Sequence, residues 1–236
     1  MKKKSLRGLI IVLVAAMVFT MMPISVSAAS NKPGKTKISS YKVGKVSSKN
    51  NKAKVVITWK KAKNATGYII YSKHGTDKWR KAKKVGKRVV KLTVVKVSAG
   101  KVSFKVVPIR KVKCKTYKGK ASKVKTKFIK STLTLEQYAK KIEPEMYNMK
   151  IDEGTYVTVK GNTLVYNVNL DVFPAYDDIE PSMMTEAEKK ELSESIKESE
   201  IKKNITKIQN NTGIKGITAK AVYTLKGVEV ASKTYK

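Results

Sequence analysis

Between residues 53 and 117 apolar and polar side chains alternate in short runs. In AKVVITW (53–59), Val55, Ile57 and Trp59 alternate with Val56, Thr58 and Lys60. GYIIYS (67–72), RVVKLTVVKV (88–97), KVSFKVVPIR (101–110) and KVKCKTY (111–117) repeat the rhythm, with polar turn sequences between them. A period of two sends alternate side chains to opposite faces of a strand. The richness in Val, Ile, Thr and aromatic residues fits a half-buried pleated surface. Many short strands with regular turns predict an all-β, immunoglobulin-like sandwich over residues 38–130.

From residue 132 the period changes. Thr134 and Gln137 have capping-box spacing at a helix start, and Leu135, Tyr138, Ile142, Met146 and Met149 follow at helical intervals, with Pro144 inside this run expected to break or kink it. GTYVTVK, then Gly161-Asn162, then TLVYNVNLDVF reads as a hairpin in which Leu164, Tyr166, Val168, Leu170 and Val172 share one face. Thr185 and Glu188 cap a second helix that Gly213 stops. Its apolar stripe is inconsistent: at 100° per residue Leu192 and Ile196 lie opposite Ile201, Ile205 and Ile208. That mismatch predicts a break near 195–199 or a solvent-exposed first half. A last hairpin turns at Lys226-Gly227. The order α-β-β-α-β-β over 132–236 predicts a small α+β domain, with helices on one face of an antiparallel sheet.

The first residues carry no such pattern. Lys2, Lys3, Lys4 and Arg7 precede an apolar run from Leu9 to Met22, and small residues follow in SVSAAS. This is the order of a secretory signal peptide over 1–28, with cleavage expected after Ala28. The run is short against the roughly 20 residues that span a bilayer. The expectation is therefore a secreted chain, extracellular or wall-associated, with no transmembrane anchor after processing. Residues 29–37 read as a flexible lead. Cys114 is the only cysteine, so no disulfide forms within the chain.

Charge sharpens the boundary between the two halves. Residues 30–131 hold 33 Lys and Arg against a single acid, Asp77, for a net +32. Residues 132–236 hold 15 Lys against 16 acids. Lysine is common on exposed strands, where it prevents edge-to-edge pairing. An excess this large opposes compaction and points to a partner that supplies negative charge. Lys111, Lys113 and Lys115, and again Lys123, Lys125 and Lys127, recur with period two and are the candidate polymer-contacting residues. Trp79, in DKWRKAKK, is the candidate exposed aromatic, whereas Trp59 and Tyr68 read as core.

Two resemblances follow. Trp59, a polar loop, Ala65-Thr66-Gly67-Tyr68 and the apolar strand after it, then Leu92, Val94, Ala99-Gly100 and the strand from Val102 to Ile109, resemble a fibronectin type III module over about 38–129. The tyrosine usual after the corner glycine is missing, and Val102 or Phe104 occupies that region. Thr134-Leu135-Glu136-Gln137-Tyr138, Gly161 to Tyr166, Thr212-Gly213-Ile214 and the closing hairpin resemble a family of uncharacterised domains in secreted and lipid-anchored proteins of Gram-positive bacteria. That resemblance implies a compartment and a fold, and no activity.

The functional expectation is a non-enzymatic envelope protein that binds anionic wall or extracellular polymer, its second domain engaging an unknown protein partner. The alternatives are a carbohydrate-binding accessory module using Trp79, or sequence-independent nucleic-acid binding. Specific nucleic-acid recognition is not expected, since groove helices and dense aromatic interleaving are missing. A hydrolase is the least supported reading. His74 is the lone histidine, and no nucleophile motif or phosphate loop occurs. The acidic loop Asp171, Asp177, Asp178, Glu180 lacks the spacing of an EF-type calcium site, which leaves open whether it binds a cation. No catalytic residue, cofactor or metal is expected.

Overall fold

The computed structural model describes residues 31–146 and 148–236; the leader 1–28 and the cleavage expected after Ala28 lie outside the described residues. Eight strands form the first lobe: β1 (Ile38–Ser47), β2 (Lys52–Trp59), β3 (Gly67–His74), β4 (Arg80–Gly86), β5 (Lys91–Ser98), β6 (Gly100–Val112), β7 (Lys115–Lys118) and β8 (Lys125–Ile129). One sheet has the order β1-β2-β5, the other β4-β3-β6, with β7 and β8 both hydrogen-bonded to β6. The two sheets form a β-sandwich. Ile38, Val55, Ile57 and Trp59 meet Tyr68, Ile70, Val102, Phe104 and Val106 between them. Trp59 and Tyr68 lie in this core as expected, in an edge-to-face pair 5.7 Å apart. Rings of this size remove roughly 150–250 Å² from water, about 4–6 kcal/mol each at 25 cal/mol/Å².

Three features of this lobe depart from the sequence reading. Residues 80–86 form an edge strand that alternation did not reveal, because only Val85 among them is both large and apolar and the rest is exposed. The run 111–117 is not one strand: β6 ends at Val112, Lys113 takes a positive φ of 49°, and β7 returns so that Lys111 opposes Thr116. From Gly34 onward the expected flexible lead is held down. Gly34 N–H donates to Lys63 O at 2.8 Å, Thr36 Oγ1 to Lys60 O at 2.6 Å, and Lys60 N–H to Lys37 O at 2.9 Å.

The second lobe contains α1 (Leu135–Ile142), β9 (Asn148–Asp152), β10 (Thr155–Lys160), β11 (Thr163–Asn169), α2 (Glu186–Glu194), α3 (Glu198–Thr212), β12 (Thr218–Leu225) and β13 (Val228–Tyr235). Both capping boxes form, Thr134 with Gln137 and Thr185 with Glu188. The second helical segment breaks between Glu194 and Glu198, which resolves its split stripe. Ile201 and Ile205 on α3 are buried, while Leu192 and Ile196 pack against the same core from the side. The sheet order is β13-β12-β11-β10-β9. Two corrections apply to the expected α-β-β-α-β-β order and antiparallel sheet. An extra edge strand, β9, precedes the hairpin. And β11 and β12 run parallel, because the chain crosses back over the sheet through α2 and α3 before re-entering it.

The lobes keep separate cores, yet residues 32–236 form one compact unit. Their join is the C-terminal end of α3, whose last carbonyls lack partners within the helix. Asn51 Nδ2 donates to Thr212 O at 2.8 Å, and Ser131 N–H donates to Gly213 O at 2.8 Å. Asn211 Oδ1 accepts from Thr76 N–H at 3.2 Å. The backbones approach so closely that only glycine fits: a Cβ on Gly100 (φ 123°) would fall 2.5 Å from Asn210 O. One on Gly213 (φ 77°) would collide with the Ile129 carbonyl. The helix therefore points its negative end at the basic sandwich, a favourable orientation for its dipole.

Candidate polymer-binding surface

The six candidate lysines do not form one stripe. Lys111 lies one residue before the end of β6, Lys113 sits in the turn and Lys115 begins β7, so this series wraps around a hairpin tip. Lys123 precedes β8, while Lys125 and Lys127 lie within it. Directly opposed residues share a face of the sheet. Lys125 opposes Phe104 and Lys127 opposes Val102, both core residues. These two lysines thus point to the inner side of their sheet and emerge at the sandwich's open edge beside β1. Lys127 Nζ lies 5.7 Å from the centroid of the Tyr41 ring, within cation–π range. An inward-pointing charge on an outer strand is a known device against edge pairing, so these two positions also have a purely structural use.

The wider distribution is the informative result. On the outer face of the β4-β3-β6 sheet, Lys81 and Lys105 both oppose Tyr71, Lys84 opposes Ile69, and Lys73 opposes Ser103. On the outer face of the β1-β2-β5 sheet, Lys42 opposes Val56 and Lys91 opposes Thr58. Basic side chains therefore cover both faces, the β8 edge and the β6–β7 tip. Asp77 is the only carboxylate of residues 30–131, so the lobe cannot neutralise this charge internally.

Trp79 is half-buried rather than displayed. Lys105 Nζ stands 4.4 Å from its ring centroid and 5.6 Å from that of Tyr71. A sugar stacking on that face of the indole has to displace a favourable cation. Sequence reasoning missed Lys105, whose role appears only through the β3–β6 register. It also missed Tyr41, whose buried hydroxyl donates to Val102 O at 3.2 Å and is held protonated by burial. That bond ties β1 to β6 near the place where the fibronectin-type tyrosine is absent.

The acidic loop is tied at both ends to the turn between β12 and β13. Asp171 Oδ1 accepts from Lys226 N–H at 2.6 Å, and Glu180 pairs with Lys226 Nζ at 2.6 Å. Among the described residues no group of three or more His, Cys, Asp or Glu is placed to hold a metal ion. Among them, too, no helix is long and apolar enough to cross a membrane.

No protein-family model matches the chain. No curated protein matches it either. Solved structures similar to parts of it include titin domains A168–A170, at 18% identity and TM-score 0.29 over 42% of this chain and 32% of that one. They also include the FN3 domain of human collagen XX, at 13% identity and TM-score 0.26 over 42% and 93%. A beta-1,2-glucanase from Parabacteroides distasonis is similar at 12% identity and TM-score 0.30 over 49% and 15%. The chain thus spans about a third of the titin fragment it matches. At these scores the likeness adds nothing to the strand order described above.

Proposed function

We propose that this chain is a non-enzymatic protein exported from the cell, whose basic sandwich associates with anionic wall or extracellular polymer. The observation that carries the reading is the balance of 33 basic residues to one acid on a lobe whose lysines cover both faces and an edge. Such a surface suits a flexible polyanion gripped by diffuse charge rather than by a shaped groove. The leader-like order of residues 1–28 supports export, and the strand order β1-β2-β5 against β4-β3-β6 supports the fibronectin type III reading. The second lobe, which in sequence resembles domains of exported Gram-positive proteins, is proposed to engage a protein partner. Sequence-independent nucleic-acid binding uses the same electrostatics and is the companion reading. Sugar stacking on Trp79 is weakened by the cation already over the ring.

The test is retention of the purified protein on teichoic acid across a salt titration, with duplex DNA as competitor. Log affinity should fall linearly with log salt, as it does when counterions are released. The double variants Lys81→Gln/Lys84→Gln, Lys111→Gln/Lys115→Gln and Lys125→Gln/Lys127→Gln should weaken binding to similar extents. At about 1 kcal/mol per basic residue near an anionic surface, each loses at most ~30-fold. Absence of retention at low salt, or complete loss from one pair alone, overturns the reading.

A further inference from the structure

A cavity of about 700 Å³ opens where β9, β10, β11, α1 and α3 meet the connection from β3 to β4. Its volume falls in the range typical of small-molecule sites. The inner wall is apolar: Val157 and Leu164 come from the sheet, Met146 follows α1, and Ile208 comes from α3. Edge strand β9 extends the wall outward with Met149 and Ile151, which stand 47% and 50% exposed, a costly display of apolar surface if nothing covers it.

The rim has the opposite charge from the sandwich beside it. Asp77, Glu143 and Glu145 line it against a single ammonium, Lys207. Asp77 is the one acid among residues 30–131, and it falls here. Tyr138 is hydrogen-bonded to Glu143, and burial and that carboxylate together raise its pKa. It therefore stays a donor on the wall without neutralising the acid. The His74 ring is fixed by Nε2–H donating to Ala99 O at 2.8 Å. The carboxylates are spread around the mouth rather than converged, in keeping with the lack of a metal-holding cluster among the described residues.

We propose that this cavity binds a small organic cation with an apolar body, its hydrocarbon part against Met146, Met149 and Ile208 and its charged end among Asp77, Glu143 and Glu145. An anionic amphiphile would set its head group against three carboxylates with only Lys207 to offset them. At physiological salt the more distant lysines of the sandwich are screened beyond about 8 Å, so the charges that line the mouth weigh most there. The site is independent of polymer binding and can be tested apart from it.

The experiment is calorimetric titration of the intact protein with octyltrimethylammonium, and in parallel with octanoate and 1-octanol, at physiological ionic strength. Saturable one-to-one binding of the cation is expected, with octanoate failing to displace it. Glu143→Gln/Glu145→Gln should weaken the cation by about tenfold, the sum of two exposed charge contacts, and leave 1-octanol unchanged. Met149→Trp, at an exposed position that does not threaten folding, should weaken both the cation and 1-octanol by narrowing the mouth. No saturable cation binding, displacement by octanoate, or indifference to Met149→Trp each overturns the proposal.

Discussion

Asn51 offers the most direct test of how the two lobes are joined. It is 2% exposed and adopts a positive φ of 52°, in the turn between β1 and β2. Its amide donates to Thr212 O at 2.8 Å and accepts from Ser131 Oγ at 2.7 Å. Asn51→Ala deletes both bonds. Ser131 has a second acceptor in Leu133 O, at 3.5 Å, but the Thr212 carbonyl at the end of α3 is left buried and unpaired. That loss costs about 1–3 kcal/mol. Holding alanine in the left-handed region adds about 1–2 kcal/mol. The expected total, roughly 3 kcal/mol, lowers Tm by about 6–12 °C for a unit of this size. Asn51→Gly loses the same bonds without the conformational penalty and should be about 1 kcal/mol milder. Urea unfolding should be followed by tryptophan fluorescence, since both tryptophans lie in the sandwich, and by helical circular dichroism, since every helix described lies in the other lobe. The two transitions should coincide in the native sequence and separate in Asn51→Ala. A loss below about 0.5 kcal/mol, or glycine costing as much as alanine, refutes the reasoning.

Other outcomes follow from single positions. The Trp59 indole N–H is buried with no protein acceptor, so Trp59→Phe should cost far less in chemical denaturation than Trp59→Ala, expected at about 3–5 kcal/mol. Gly213→Ala must move α3 off the Ile129 carbonyl, and limited proteolysis should then cut between the lobes while the native chain resists. Glu136 is bonded to Lys140 and to Gly161 N–H, and these contacts lower its pKa. A depressed carboxylate stabilises fully above its unfolded value of about 4.3 and loses that contribution as pH falls through the folded value. Glu136→Gln should therefore flatten the acid limb of the stability profile while leaving the region above pH 6 parallel to the native curve.

Core strands were legible in the sequence because burial on one face forces a period of two, as in Val55, Ile57 and Trp59. The capping boxes at Thr134 and Thr185 were legible because their partners are three residues away. What escaped was whatever depends on pairing. β4 is an edge strand whose lysines leave no alternation to detect. The parallel β11–β12 contact is made by residues more than fifty positions apart, and nothing local records strand direction. The lysine series at 111–115 kept its rhythm across a turn, so periodicity alone assigned it to a strand that ends at Val112. The candidate surface suffered the same way. Its charge could be counted, but its spread over both faces emerged only from register.

The fit of α3 against the sandwich bears on how such a chain can be rearranged by recombination. Modules strung on linkers can be cut out and joined to new neighbours, because each meets the next through solvent. Here Gly100 and Asn51 on one side are shaped to Asn210, Thr212 and Gly213 on the other, with no room for a side chain at two of the positions. A sandwich transplanted alone would carry an exposed seat for a helix end, and the second lobe would carry a helix with unpaired carbonyls. The two lobes should therefore be inherited as a pair, with substitutions at Gly100 and Gly213 tolerated only when both sides of the seam change together.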